Sequence, residues 1–94
     1  MQKRSKFYSI RENTIFLILD PDAFRRKDRG YKFICLKYWD GYHWIARFIK
    51  KGDTDWIALS DSRIKELIIN KAIRYANPFE RFESVLWEKK YAEI

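Results

Sequence analysis

The sequence predicts a single α+β domain, in which a four-stranded antiparallel β-sheet with meander order precedes two C-terminal helices. The 94 residues are enough for one compact domain and too few for two. Runs rich in β-branched and aromatic side chains, separated by turn signals, fill residues 7–59, whereas apolar residues recur at helical spacing in residues 60–94. Residues 1–6 are basic and precede the first apolar run, so we expect them to form a flexible arm.

The first strand of the meander is predicted at residues 14–19. A continuous apolar run of this length is typical of a buried strand, and the turn signal Asp20-Pro21-Asp22 ends it. Residues 7–10 allow a further short strand before it. Residues 23–30 are too polar for a core, and we expect them to form a basic connection.

A β-hairpin is predicted where residues 31–39 and 42–49 flank Asp40-Gly41. Asp-Gly is favoured in two-residue turns because both central positions need positive φ. Side chains alternate along a strand, so this register separates two sets of side chains. One face carries Phe33, Cys35, Lys37, Trp39, Tyr42, Trp44, Ala46 and Phe48; the other carries Lys32, Ile34, Leu36, Tyr38, His43, Ile45, Arg47 and Ile49. A turn at residues 51–54 then leads to a fourth strand at residues 55–59.

Two helices are predicted after the sheet. The first begins at the capping candidates Ser60-Asp61-Ser62, and its apolar residues recur as far as Ala76. Its apolar stripe is wide enough to need two partners, namely the sheet and either the last helix or another subunit. Asn77 and Pro78 end this helix and begin the second, which runs to about residue 91. One side of the second helix carries Phe79, Phe82, Val85 and Leu86.

The composition excludes several classes of function. One Cys excludes a disulfide framework, and one His excludes a multi-His metal site. The sequence has no glycine-rich phosphate loop, no nucleophile motif and no Cys-x-x-Cys pair. We therefore expect no enzyme, no metal and no cofactor. Cys35 is interpreted as a buried strand residue, and a small nuclease that uses His43 as its base is the least supported class. The apolar runs are too short to span a membrane and no signal sequence is recognised, so a soluble cytoplasmic protein is expected.

Positive charge is concentrated in the first half of the chain. The net charge of +7 comes from 20 Lys+Arg and 13 Asp+Glu, and residues 1–51 hold 13 basic and 5 acidic side chains. Clustered charge produces a local potential that attracts polyanions. The densest cluster lies at residues 25–29, a second comprises Arg47, Lys50 and Lys51, and a third lies in the basic arm. The alternative is that these cations only keep an apolar domain in solution.

Rings and cations share one face of the predicted hairpin, a combination typical of proteins that bind single-stranded nucleic acid. Aromatic rings stack on unpaired bases and Lys and Arg neutralise phosphates, whereas the bases of a duplex offer no free face. We expect the rings to be exposed and the aliphatic face to be covered by helices, although rings facing the core remain an alternative. The candidate nucleic-acid-binding residues are Arg25, Arg26, Lys27, Arg29, Lys37, Trp39, Tyr42, Trp44, Phe48, Lys50 and Lys51.

The end of the predicted sheet resembles a known family. Lys51-Gly52 form a basic-glycine turn, residues 56–59 a short strand, and Ser60 a helix cap that is followed by Ile64 and Leu67. In this order of elements the chain resembles the positive-cofactor and whirly group of single-stranded nucleic-acid binders. The resemblance implies a curved four-stranded sheet, dimerisation through helical contacts, and single-stranded DNA or RNA lying across the sheet. The second helix departs from that pattern.

Protein partners are expected as well. Both faces of the hairpin are apolar, and soluble monomers seldom expose a large apolar patch, so we expect a homodimer. The leading prediction is a non-catalytic protein that prefers single-stranded DNA or RNA to duplex. The alternative is a phage-type accessory protein that binds and inhibits or regulates a host protein, with the aromatic surface as its interface hot spot.

Overall fold

The computed structural model describes residues 10–24, 30–38 and 43–92, with residues 89–92 described by their backbone alone. The fold is the predicted α+β class, an antiparallel sheet with two C-terminal helices. The elements in chain order are β1 (Ile15–Ile18), a 3-10 helix (Pro21–Phe24), β2 (Phe33–Tyr38), β3 (Trp44–Lys50), β4 (Asp53–Leu59), α1 (Asp61–Ile69), β5 (Ile73–Tyr75) and α2 (Pro78–Ala92). The expected basic arm and residues 7–9 of the expected short strand lie outside the described residues.

Within the described residues the sheet has five strands, in the order β4-β3-β2-β1-β5, and each neighbouring pair is antiparallel. The predicted meander accounts for β1 to β4. The added strand β5 pairs with the other side of β1, where Phe16 lies opposite Tyr75. Because β4 and β5 occupy opposite edges of the sheet, α1 connects them across one face.

The expectation that the first helix continues to Ala76 is wrong, because α1 ends at Ile69. Asn70 caps it through backbone hydrogen bonds, and Lys71 adopts a left-handed conformation with φ of 59° that no helix can continue. The chain then turns back, and the carbonyl of Ala72 accepts hydrogen bonds from the first residues after β1. The apolar residues that follow contribute a strand to the open edge of β1 instead of a helical stripe.

The predicted hairpin register is wrong by one residue. Tyr38 pairs with Trp44 and Ile34 pairs with Phe48, so residues 39–43 connect the two strands in place of a two-residue turn. Asp40 and Gly41 lie outside the described residues. A slip of one residue moves one strand's side chains to the other face relative to its neighbour. As a result Trp44 and Phe48 share a face with Ile34 and Tyr38 and not with Phe33 and Lys37.

Both faces of the sheet are covered by a helix. The α1 face is the face that carries the larger cluster of buried residues, into which α1 inserts Ile64 and Leu67. The α2 face carries a smaller cluster, against which Trp87 packs. The members of the larger cluster are Phe16, Phe24, Tyr31, Ile34, Leu36, Trp44, Ala46, Phe48, Ile64, Leu67, Ala72 and Ile73, and those of the smaller are Ile15, Phe33, Cys35, Ile49 and Ala76. The expectation that the face carrying Trp44 and Phe48 is exposed is therefore wrong.

Candidate nucleic-acid interface

Two of the candidate stacking rings belong to the core. Trp44 is 7% exposed and Phe48 is 1% exposed. The indole Nε1 of Trp44 donates a hydrogen bond of 2.7 Å to Oδ1 of Asp61, and its ring stacks on Tyr38 at 4.1 Å. A buried ring has no free face for a base, so the expectation that these two side chains are exposed is wrong. Their physical role is to fasten α1 and the 3-10 helix to the sheet.

The remaining candidates divide between described and undescribed parts of the chain. Trp39 and Tyr42 lie outside the described residues. The basic candidates of residues 25–29, namely Arg25, Arg26, Lys27 and Arg29, also lie outside them. Lys37 lies on the α2 face near the end of β2, where its Nζ donates to Oδ1 of Asn13 at 2.9 Å. Lys50 and Lys51 lie at the other end of the sheet.

The basic end of the sheet is the end at which β1 and β3 finish and β2, β4 and β5 begin. The antiparallel pairing brings these termini together: Leu17 lies opposite Phe33, and Lys50 lies opposite Asp53. Lys50 is 4.0 Å from the carboxylate of Asp53. Its Nζ also lies 5.2 Å from the centre of the Tyr31 ring. Lys51 follows in the exposed turn between β3 and β4.

Both flanks of the basic segment 25–29 attach at this end. Phe24, just before the segment, is buried and its ring lies 5.2 Å from that of Phe48. Tyr31, just after it, lies 5.8 Å from the same ring. Arg63 holds the first flank in place, because its guanidinium donates to the carbonyl of Ala23 at 2.5 Å. Tyr31, after the segment, therefore lies beside Lys50, whereas Phe24, before it, packs on Phe48; the segment itself lies outside the described residues.

The stretches that begin or end at the basic end are rich in basic side chains. By sequence, residues 19–32, 50–53 and 71–72 contain eight basic and four acidic side chains; four of the basic ones and one of the acidic ones belong to segment 25–29, outside the described residues. Over the whole sequence, by contrast, 20 basic side chains stand against 13 acidic ones. A local excess of this kind attracts anionic ligands.

A cavity of about 360 Å³ lies next to Phe24 and is lined by Ala23, Ile57, Leu59 and Arg63 as well. Both terminal nitrogens of the arginine are already engaged, one with Glu66 and one with the Ala23 carbonyl. The cavity wall is otherwise apolar. The side chains that line the cavity therefore leave no terminal nitrogen of Arg63 unengaged to orient a small-molecule ligand.

The described residues provide little for catalysis. Burial raises the pKa of Cys35 to about 11, which keeps the thiol protonated at neutral pH and therefore a poor nucleophile. Among the described residues no group of three or more His, Cys, Asp or Glu side chains is placed to hold a metal ion. His43 is exposed, at the end of the sheet opposite to the basic end. None of the helices in the described part of the chain has the length and apolar character needed to cross a membrane.

The outer face of α2 is a surface that the sequence did not predict to be exposed. It consists of Phe79, Phe82, Val85 and Leu86, whose exposed fractions are 87%, 66%, 49% and 47%. Sequence periodicity placed these residues on one side of a helix but left open which side packs on the sheet. The available signal was Glu88 on the opposite side, whose carboxylate pairs with Arg47 of β3.

The chain matches no protein-family model, no curated protein and no solved structure. The resemblance to the positive-cofactor and whirly group stays a prediction. The fold and the surfaces described above are therefore the basis for the functional proposals.

Proposed function

We propose that the protein binds nucleic acid without catalysis, through phosphate contacts at the basic end of the sheet. The observation that supports the proposal is that Tyr31, which follows the basic segment 25–29 in the sequence, lies beside Lys50, next to Lys51. Lys and Arg side chains neutralise the phosphates of any nucleic acid. An end of a sheet where several such side chains lie together is therefore suited to phosphate contacts.

The proposed preference for single strands depends on rings outside the core. With Trp44 and Phe48 buried, base stacking falls to Trp39 and Tyr42, which follow Tyr38 at the end of β2. That end of the sheet is opposite to the basic end, because β2 runs from one to the other. Six strand residues span about 20 Å, a distance of three or four nucleotides. Phosphate contacts and stacking would then be separate contributions to binding.

The test is a fluorescence-anisotropy titration with labelled single-stranded DNA, single-stranded RNA and duplex of equal length, at several salt concentrations. The triple variant Arg25→Ala, Arg26→Ala, Lys27→Ala should lower the affinity at least tenfold. It should also reduce the slope of log K against log salt by about 2, since each phosphate contact on a single strand contributes about 0.7. Trp39→Ala together with Tyr42→Ala should weaken single-strand binding and leave duplex binding unchanged.

The matched control compares single exposed cations at the two ends of the sheet. With duplex, to which the stacking rings do not contribute, Lys51→Ala should weaken binding, whereas Arg11→Ala, at the end opposite to the basic end, should not. Equal affinities for the wild type, the triple variant and Lys51→Ala would place the binding site elsewhere. An absence of binding to all three nucleic acids at low salt would overturn the proposed function.

The outer face of α2 favours a second candidate, a protein that acts by binding another protein. A contiguous apolar face of this kind is characteristic of interaction surfaces, and soluble proteins rarely expose one without a partner. A phage-type regulator of a host protein would use this helix and not the hairpin face expected from the sequence. The identity of the partner that covers α2 decides between this candidate and a dimer.

A further inference from the structure

Helix α2 is oriented on the sheet by polar contacts. Ser84, on its inner side, is completely buried, and its hydroxyl donates to the carbonyl of Arg81. Glu88 accepts a hydrogen bond of 2.7 Å from Nε of Arg47 on β3. Glu83 lies 3.3 Å from Nζ of Lys32, before β2. The Ser84 bond lies within the helix, so the two ion pairs, together with the burial of Ser84, fix the rotation of α2 about its own axis.

The same rotation directs the outer face of α2 away from the sheet. Turning the helix to bury Phe79 and Phe82 would break the ion pairs of Glu83 and Glu88 and leave Arg47 without its partner. Trp87 would also lose its contact with Phe33, whose ring centre is 5.6 Å away. The exposure of the phenylalanines is therefore a property of the packed fold and calls for a partner outside the described chain.

The described residues next to two undescribed segments lie on the other side of the sheet. Ile10, the first described residue, packs against the cluster on the α1 face. Phe24 and Tyr31, which flank residues 25–29, belong to the same cluster. The partner of α2 is accordingly better sought in another chain.

We propose that the outer face of α2 is a homodimer interface, in which it packs antiparallel against the same face of a second copy. The four side chains expose roughly 400–500 Å² on each copy, taking about 150–250 Å² for a whole aromatic side chain. A standard interface buries about 800 Å² per partner, with an apolar centre and a polar rim. Arg81 and Glu83, on the two sides of the stripe at about 100° per residue, are placed to supply that rim.

The order of side chains along α2 favours a second copy over an unrelated partner. The two large rings lie toward the start of the helix, and the smaller Val85 and Leu86 lie toward its end. An antiparallel pair therefore places the rings of each copy against the smaller side chains of the other. Such a two-fold interface uses one surface twice and closes on itself. This proposal stands independently of nucleic-acid binding.

The experiment is sedimentation equilibrium of the full chain from about 1 to 100 µM, without nucleic acid. The wild type should sediment at twice the chain mass, and Phe82→Asp should sediment as a monomer, with the dimer dissociation constant raised at least a hundredfold. The matched control is Ile69→Asp, which alters an apolar side chain on α1 that is 62% exposed, close to the 66% of Phe82. Ile69→Asp should remain a dimer, and circular dichroism should show all three proteins folded.

A folded wild type that stays monomeric at 100 µM would overturn the dimer, and would direct attention to a different protein partner for α2. A dimer that survives Phe82→Asp would also overturn it, by moving the interface to another surface. Nucleic-acid titrations of Phe82→Asp separate the two proposals. If this variant is a monomer and still binds nucleic acid, the substitution affects the dimer interface alone.

Discussion

The two helices pack on opposite faces of one sheet and present opposite sides to it. Helix α1 buries its apolar side, where Ile64 and Leu67 are 2% and 1% exposed, whereas α2 buries Ser84 and exposes the phenylalanines of its outer face. Both have the apolar spacing of an amphipathic helix. Apolar periodicity thus predicts that a helix has an apolar side, but not that this side faces the sheet. In α2 the side that faces the sheet carries Trp87, which packs on the smaller cluster, and two carboxylates that form ion pairs with residues 41 and 51 positions away along the chain.

The largest expected effect comes from truncating one leucine on each helix. In a Phe82→Asp background, so that association adds nothing, Leu67→Ala should lower the free energy of unfolding by about 2–5 kcal/mol, because it opens a cavity in the core. Leu86→Ala should lower it by less than about 1 kcal/mol, since its side chain is already half exposed. Urea denaturation followed by circular dichroism measures both. Equal losses would mean that α2 packs on the sheet through its outer face.

A smaller effect is expected from the ion pairs of the two helices. Arg47 and Glu88 are 30% and 24% exposed and join α2 to β3, whereas Arg63 and Glu66, on α1, are 39% and 55% exposed. Glu88→Gln should cost about 1 kcal/mol of unfolding free energy, because it leaves a partly buried guanidinium without its counter-charge. Glu66→Gln should cost less than about 0.5 kcal/mol. A reversed order in urea denaturation would show that the contact with β3 does not hold α2.

The sequence was sufficient to predict the sheet in outline because its strands are locally encoded. The β-branched run of β1 falls where the structure has it; the turn predicted at residues 51–54 is shorter in the structure, because β4 already begins at Asp53. The misplaced features depend on distant contacts. β5 was read as helix because Ile73 and Tyr75 continue a helical spacing, and only the open edge of β1 makes them a strand. The hairpin register depends on which side chains fit together in the core, and Asp-Gly alone could not fix it.

The candidate site was less predictable than the fold. The one-residue change of register, together with the packing of α1, turns Trp44 and Phe48 from a ligand face into core. Positive charge predicted the candidate site more reliably than the aromatic rings did. Basic residues that are neighbours in the sequence stay close together in any fold, so their clustering does not depend on the register of the sheet. That Lys50 and the flanks of residues 25–29 meet at one end follows only from strand order. The outer face of α2 was visible in the sequence as a stripe, but its exposure depends on Arg47 and Lys32.

The smallest expected effect distinguishes the two helix caps by their response to pH. Ser60 caps α1, its hydroxyl accepting from the amide of Arg63 at 3.1 Å. At the start of α2 the caps are reciprocal: the amide of Glu80 donates to Asn77 Oδ1 at 2.8 Å, and the amide of Asn77 donates to Glu80 Oε1 at 2.9 Å. The Arg74 guanidinium also donates to both oxygens of this carboxylate, at 2.9 and 2.8 Å. Only the second cap can titrate in the acid range.

Hydrogen bonds from Arg74, followed by the one from the Asn77 amide, hold the pKa of Glu80 below its ordinary value of 4.5. Because the folded-state pKa is the lower one, the carboxylate stabilises the fold above the unfolded pKa, and this contribution is lost as the pH falls through the folded pKa. The difference in Tm between the wild type and Glu80→Gln should therefore be constant above about pH 6 and shrink below about pH 4. For Ser60→Ala, which removes about 1 kcal/mol of capping without a titrating group, the difference should be the same at every pH. If the difference in Tm between the wild type and Glu80→Gln did not change between these pH values, Arg74 would not favour the charged form of Glu80. The cap at the start of α2 would then be no more sensitive to acid than the cap of α1.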